Sequence, residues 1–84
     1  MIRLIYLARL RDSLGIGSEN VEPPADVATV TGLLGWLSQR GGAWTHELAP
    51  GRAVRIAVNH DIAKQDTPIR AGDEVALFPP VTGG

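Results

Sequence analysis

The clearest periodic signal in this sequence is helical, and it is flanked on both sides by alternating segments. Val30, Leu33, Leu34 and Leu37 stand at i, i+3, i+4 and i+7, the stripe that an amphipathic helix turns towards a core. Thr29 is placed to cap its start through its hydroxyl, and Arg40-Gly41-Gly42 supplies a basic last turn and a stop. Gly32 and Gly35 each weaken such a helix by ~1 kcal/mol relative to alanine. Tertiary packing must therefore hold it, and the glycines are read as admitting close approach to a sheet. Before the helix, residues 1–7 place Ile2, Leu4 and Tyr6 on one face and Arg3, Ile5 and Leu7 on the other. Residues 13–18 carry Gly15 and Gly17 and read as a turn. Residues 18–22 read as a second strand stopped by Pro23-Pro24, so the pair is expected to form a hairpin.

After the helix, residues 43–52 have little pattern. Trp44 is expected over the core edge, and Pro50-Gly51 marks a turn. Val54, Ile56 and Val58 then alternate with Arg55, Ala57 and Asn59. Asn59-His60-Asp61 reads as a turn, residues 62–64 as a minor strand and residues 66–73 as a loop. Residues 74–78 form the last strand, with Val75 and Leu77 inward and Phe78 outward. The expected fold is α+β, with four to five strands in one sheet and one main helix packed on one face.

Composition narrows the function. A chain of 84 residues makes one domain, and 44% hydrophobic with 20% charged residues is an ordinary globular balance. Aromatic residues make up only 5%, so aliphatic side chains must fill the core of a small domain of modest stability. Eight basic and nine acidic residues leave a net charge of −1, without the cationic footprint of a nucleic-acid binder. No apolar run approaches the ~20 residues of a membrane span, and the Met1 end does not read as a signal peptide. A cytoplasmic location is the expectation. The absence of cysteine excludes a disulfide framework, thiolate metal ligation and a catalytic thiol. His46 and His60 fall in separate loops without metal-ligand spacing. Ser13, Ser18 and Ser38 lack a nucleophile-elbow context, and the glycine pair at 15 and 17 is no dinucleotide loop, since Asn20 stands where a third glycine belongs. Lys64, the sole lysine, is given no role.

The end of the chain offers more. Phe78-Pro79-Pro80-Val81-Thr82-Gly83-Gly84 comes directly after the last strand. The prolines stop the strand and stiffen the start of the tail. Gly83 and Gly84 have no side chains, so a terminal carboxylate could pass through a channel as narrow as a backbone. Two readings fit: a frayed end, as in most domains, or a stiff stem presenting a bare carboxylate.

Ala57-Val58-Asn59, the run from Gly72 to Phe78 and the ending Pro79-Pro80-Val81-Thr82-Gly83-Gly84 resemble the small subunit of molybdopterin synthase, a ubiquitin-like β-grasp sulfur carrier. The likeness runs the full chain, and its specific part is the PPVTGG ending. It implies a β-grasp domain over 1–78 and a projecting tail over 79–84. It further implies that an adenylating enzyme uses ATP on Gly84, that a persulfide sulfur displaces AMP, and that the resulting thiocarboxylate donates sulfur to cyclic pyranopterin monophosphate. No bound cofactor is implied. Partners would be the large synthase subunit, in a heterotetramer, and the ubiquitin-activating-like enzyme. Pro79, Pro80, Val81, Thr82 and Gly83 would insert into the partner, while Phe78, Leu7 and Ile62 would dock beside the tail. The chain would not be catalytic alone. Related carriers for thiamin or tRNA thiolation, and a protein modifier joined through Gly84, share this chemistry; the paired prolines argue against the thiamin carrier.

Overall fold

The computed structural model describes residues 1–49 and 51–80. Its elements are β1 (Ile2–Tyr6), α1 (Ala8–Leu14), β2 (Ser18–Val21), α2 (Val30–Ser38), α3 (Ala43–Glu47), β3 (Arg55–Val58), β4 (Asp61–Ile62) and β5 (Glu74–Phe78). The five strands form one sheet in the order β2-β1-β5-β3-β4. β1 and β5 run parallel, and every other neighbouring pair is antiparallel. This mixed sheet, with its main helix packed against one face, is the β-grasp arrangement.

Alternation sorts each strand into two faces. Ile2, Leu4 and Tyr6 of β1, Ile56 of β3 and Val75 and Leu77 of β5 are buried together with Val30, Leu33 and Leu37 of α2. The expected helical stripe therefore meets the expected strand faces. The amides of Val30 and Thr31 donate to the carbonyls of Thr67 and Gln65, both at 3.0 Å. That of Gly32 donates to Thr29 Oγ1 at 3.2 Å, and that of Leu33 to the Thr29 carbonyl at 2.9 Å. The first three are donors that a helix start leaves without intrahelical partners, and the Leu33 bond is the first intrahelical one. The glycines of α2 do not lie against the sheet, contrary to expectation. A Cβ on Gly35 would meet nothing within 4 Å, and one on Gly32 would meet only Thr29 and Val27 at 3.5 Å or more.

Other expectations need correction. β1 and β2 do pair antiparallel, but no short loop joins them: α1 occupies residues that alternation could not assign. Leu10 fills the core and Leu14 packs at its edge, so a single i, i+4 apolar pair holds this helix. It ends where Gly15, at φ 74°, donates its amide to the Arg11 carbonyl at 3.0 Å, the left-handed cap that glycine adopts without strain. The unpatterned stretch after α2 contains α3, whose Trp44 lies edge-on to Tyr6 with ring centroids 5.3 Å apart. The minor strand is shorter and earlier than expected, because Asn59 and His60 alone make the turn, with φ of 50° and 74°. Two consecutive positive φ values are those of a type I′ hairpin turn.

Candidate functional site

The strand register gathers the three expected docking residues on one surface. On the sheet face away from the helices, Ile5 stands beside Ala76, Ala76 beside Ala57, and Ala57 beside Ile62. One step along, the Leu7 amide donates to the Leu77 carbonyl at 3.0 Å, which sets Leu7 beside Phe78, and Phe78 pairs with Arg55. The result is an apolar band across four strands, with no helix of the described residues over it. Ile62 is 70% exposed and Leu7 43%, while Phe78 is half-buried as part of the same row. Apolar bands of this kind are what protein contact surfaces commonly use.

The tail leaves beside that band. Pro79 and Pro80 line an open cleft of about 380 Å³ together with Arg9, Gly51, Arg52 and Ala53. Val81, Thr82, Gly83 and Gly84 lie outside the described residues. Asp73 closes the turn before β5, and Glu74 is the first residue of that strand. Asp73 Oδ2 accepts from the Arg70 amide at 2.7 Å, and Asn59 Oδ1 accepts from the Glu74 amide at 3.0 Å. Among the described residues no three His, Asp or Glu side chains converge as a metal site, and no helix is long and apolar enough to cross a membrane.

Two charged networks were not legible in the sequence. In the first, Tyr6 donates its hydroxyl to Glu19 Oε2 at 2.7 Å, while Arg40 donates from Nη1 to Oε2 at 2.7 Å and from Nη2 to Oε1 at 3.2 Å. The same guanidinium lies 4.4 Å from the Trp44 ring centroid, a cation–π distance. Partial burial works to raise the Glu19 pKa, but the hydrogen bonds from Arg40 and Tyr6 outweigh it and hold the carboxyl below its ordinary value. Burial, then the bond to Glu19, pushes the Tyr6 hydroxyl well above the usual phenol range. In the second network Glu47, only 5% exposed, accepts at Oε1 from Arg52 Nη2 at 3.3 Å and lies 3.7 Å from Arg9 Nε. Burial opposes its ionisation, yet Arg52, Ser13 and Arg9 together keep it below the ordinary carboxyl value. These partners come from separate elements, so spacing along the chain gave no sign of either network.

The model of the ThiS family matches residues 4–84, nearly the whole chain. The chain belongs to the ThiS family. This ThiS-family chain is 37% identical to the molybdopterin synthase sulfur carrier subunit of Escherichia coli strain K12, with all of both chains covered. Among solved structures it resembles a putative molybdopterin converting factor subunit 1 from Pyrococcus furiosus. That match is 28% identical with a TM-score of 0.77, covering 95% of this chain and 97% of that one. It also resembles SAMP1, the small archaeal modifier protein 1 of Haloferax volcanii. Here the identity is 28% and the TM-score 0.78, covering 99% of this chain and 98% of that one. The ubiquitin-like β-grasp fold expected of the sequence is the fold of these neighbours.

Proposed function

We propose that this ThiS-family chain is the sulfur carrier of a molybdopterin synthase, carrying sulfur on its C-terminal Gly84. The observation that carries this reading is the junction at Phe78. There a central strand passes directly into Pro79-Pro80 at the edge of an uncovered apolar band, and the family match continues through Gly84. A carboxylate is a poor electrophile. An adenylating partner joins it to AMP from ATP and releases pyrophosphate, which makes the carbonyl carbon electrophilic. A persulfide sulfur then attacks that carbon and AMP leaves. Cleavage of the acyl disulfide by a thiol leaves a thiocarboxylate, soft and more nucleophilic than the oxygen acid. Docked through Phe78, Leu7 and Ile62 on a large subunit, the tail would deliver this sulfur to cyclic pyranopterin monophosphate in the cytoplasm. Two loaded carriers are consumed per dithiolene, in keeping with a heterotetramer. The chemistry of transfer belongs to the partner, and the carrier contributes the sulfur.

The test is the intact mass of the chain after incubation with its adenylating enzyme, ATP and a sulfur donor. The expected gain is that of one oxygen replaced by one sulfur, confined to the C-terminal peptide and abolished when a residue is appended after Gly84. The likeness to a small archaeal modifier protein supports a second reading, conjugation to lysine. Loss of water with cross-linking to another chain, and no sulfur gain, would establish that reading in place of the first.

A further inference from the structure

Glu47 is the one charged side chain buried among the described residues. From α3 it meets cations of two other segments: Arg9, in α1 just after β1, at 3.7 Å, and Arg52, in the link to β3, at 3.3 Å. The same two arginines line the cleft beside Pro79 and Pro80, together with Gly51 and Ala53. Both prolines are half-buried, so the stem of the tail lies along this wall. Neither has an N–H to give, and the stem therefore continues β5 without a donor of its own to the sheet. Its direction is left to the side chains it lies against. A buried carboxylate is a costly way to join three segments, since an apolar residue of similar size would pack there without stripping water from a charge. The ion does one thing that an apolar residue cannot: it fixes where two guanidiniums stand, each a rigid planar fork.

We infer that Glu47 is a positioning residue for sulfur transfer: it draws Arg9 and Arg52 into one wall beside Pro79-Pro80 and so sets the direction in which the tail leaves the sheet. The inference rests on the sulfur-carrier reading and adds how the tail is aimed. Length makes direction matter. Six residues follow Phe78, and fully extended they span at most about 22 Å. A swing of the stem by about 10° would carry the far end of such a tail through about 4 Å. Misplacing a reacting group by about 1 Å can cost on the order of 100-fold in rate. Leu7, Phe78 and Ile62 can seat the domain on a partner, but they stand on the outer sheet face and are not among the residues lining the cleft. Docking and aiming therefore fall to different residues.

The test is Glu47→Gln, which keeps the shape of the side chain and removes its charge. Sulfur-loaded carrier is mixed with the large subunit and cyclic pyranopterin monophosphate, and loss of thiocarboxylate is followed over a single turnover. The rate at saturating large subunit should fall roughly ten-fold or more. The half-saturating concentration should stay at the wild-type value, because the docking face is intact. Carbon relaxation in NMR reports on the stem directly: the Cα order parameters of Pro79 and Pro80 should be about 0.85 in the unaltered chain and drop below about 0.6 in Glu47→Gln. Arg52→Gln leaves Glu47 paired with Arg9 and should move both readouts the same way by less, which keeps the test valid if Glu47→Gln folds poorly. Arg40→Gln breaks the other charged network, away from the cleft, and should change neither. Wild-type transfer in Glu47→Gln and Arg52→Gln, or prolines that stay ordered in both, would overturn the inference. So would an equal loss in Arg40→Gln, or a loss seen only as weaker docking. An unaltered chain that takes up no sulfur removes the carrier reading instead, while proline relaxation still decides whether Glu47 holds the stem.

Discussion

The Tyr6 hydroxyl donates to Glu19 at 2.7 Å, from a ring with no exposed surface. One bond thereby joins the sheet's interior to the carboxylate that Arg40 grips at the far end of α2. Tyr6→Phe keeps the ring against Trp44 and removes only this bond. A hydrogen bond to a charged acceptor contributes about 1.5–3 kcal/mol, so the urea midpoint should fall accordingly while sulfur loading stays at the wild-type level.

Acid should unfold the protein through Glu19 and Glu47. Both carboxyls are held below their ordinary value of 4.5 in the folded state. Their contribution is complete above the unfolded value and is lost as pH falls through the lower folded values. Stability measured in urea should be level from pH 7 towards pH 5 and decline below about 4.5. In Glu47→Gln the decline should be shallower, because one of the two linked protons is gone.

Gly35→Ala should stabilise the protein. The residue lies inside α2 and a Cβ there meets nothing within 4 Å, so only the conformational cost of glycine in a helix changes. The gain should be about 0.5–1 kcal/mol by thermal or chemical unfolding. A loss would mean that the position is constrained by something packed against it.

Ile62→Asp separates docking from folding. The side chain is 70% exposed at the sheet edge, so stability should change by no more than about 0.5 kcal/mol. Affinity for the large subunit should drop at least ten-fold if the site lies among the anchors of the interface, as measured by calorimetric titration. Phe78→Ala should weaken binding too, but with a cost to stability, since that ring is half-buried.

Alternation alone located β1, β3 and β5, and the i, i+3, i+4, i+7 stripe located α2, because those elements bury one face and expose the other. The two short helices escaped for a physical reason. α1 buries only Leu10 fully and α3 only Glu47, and a helix with one buried side chain has no stripe to read. Glu47 shows the limit from the other side: a carboxylate is expected in water, and only its meeting with Arg9 and Arg52 across the fold makes burial tolerable. The proposed docking surface was legible only as single residues. Register then joined Leu7, Phe78 and Ile62 into one surface, and register is set by pairings between distant parts of the chain.

The parallel pairing of β1 with β5 has a consequence for synthesis. β1 is synthesised well before β5, the neighbour that completes its hydrogen bonds. Until β5 is made, Leu4 and Tyr6 lack Val75 and Leu77, and β3 lacks the strand that joins it to the rest of the sheet. Contacts so distant in sequence slow folding and defer it until after β5 has emerged. A nascent chain interrupted before Glu74 therefore cannot assemble a native-like sheet, and such fragments remain open to proteolysis, while a chain that has folded has already made the strand from which its tail departs.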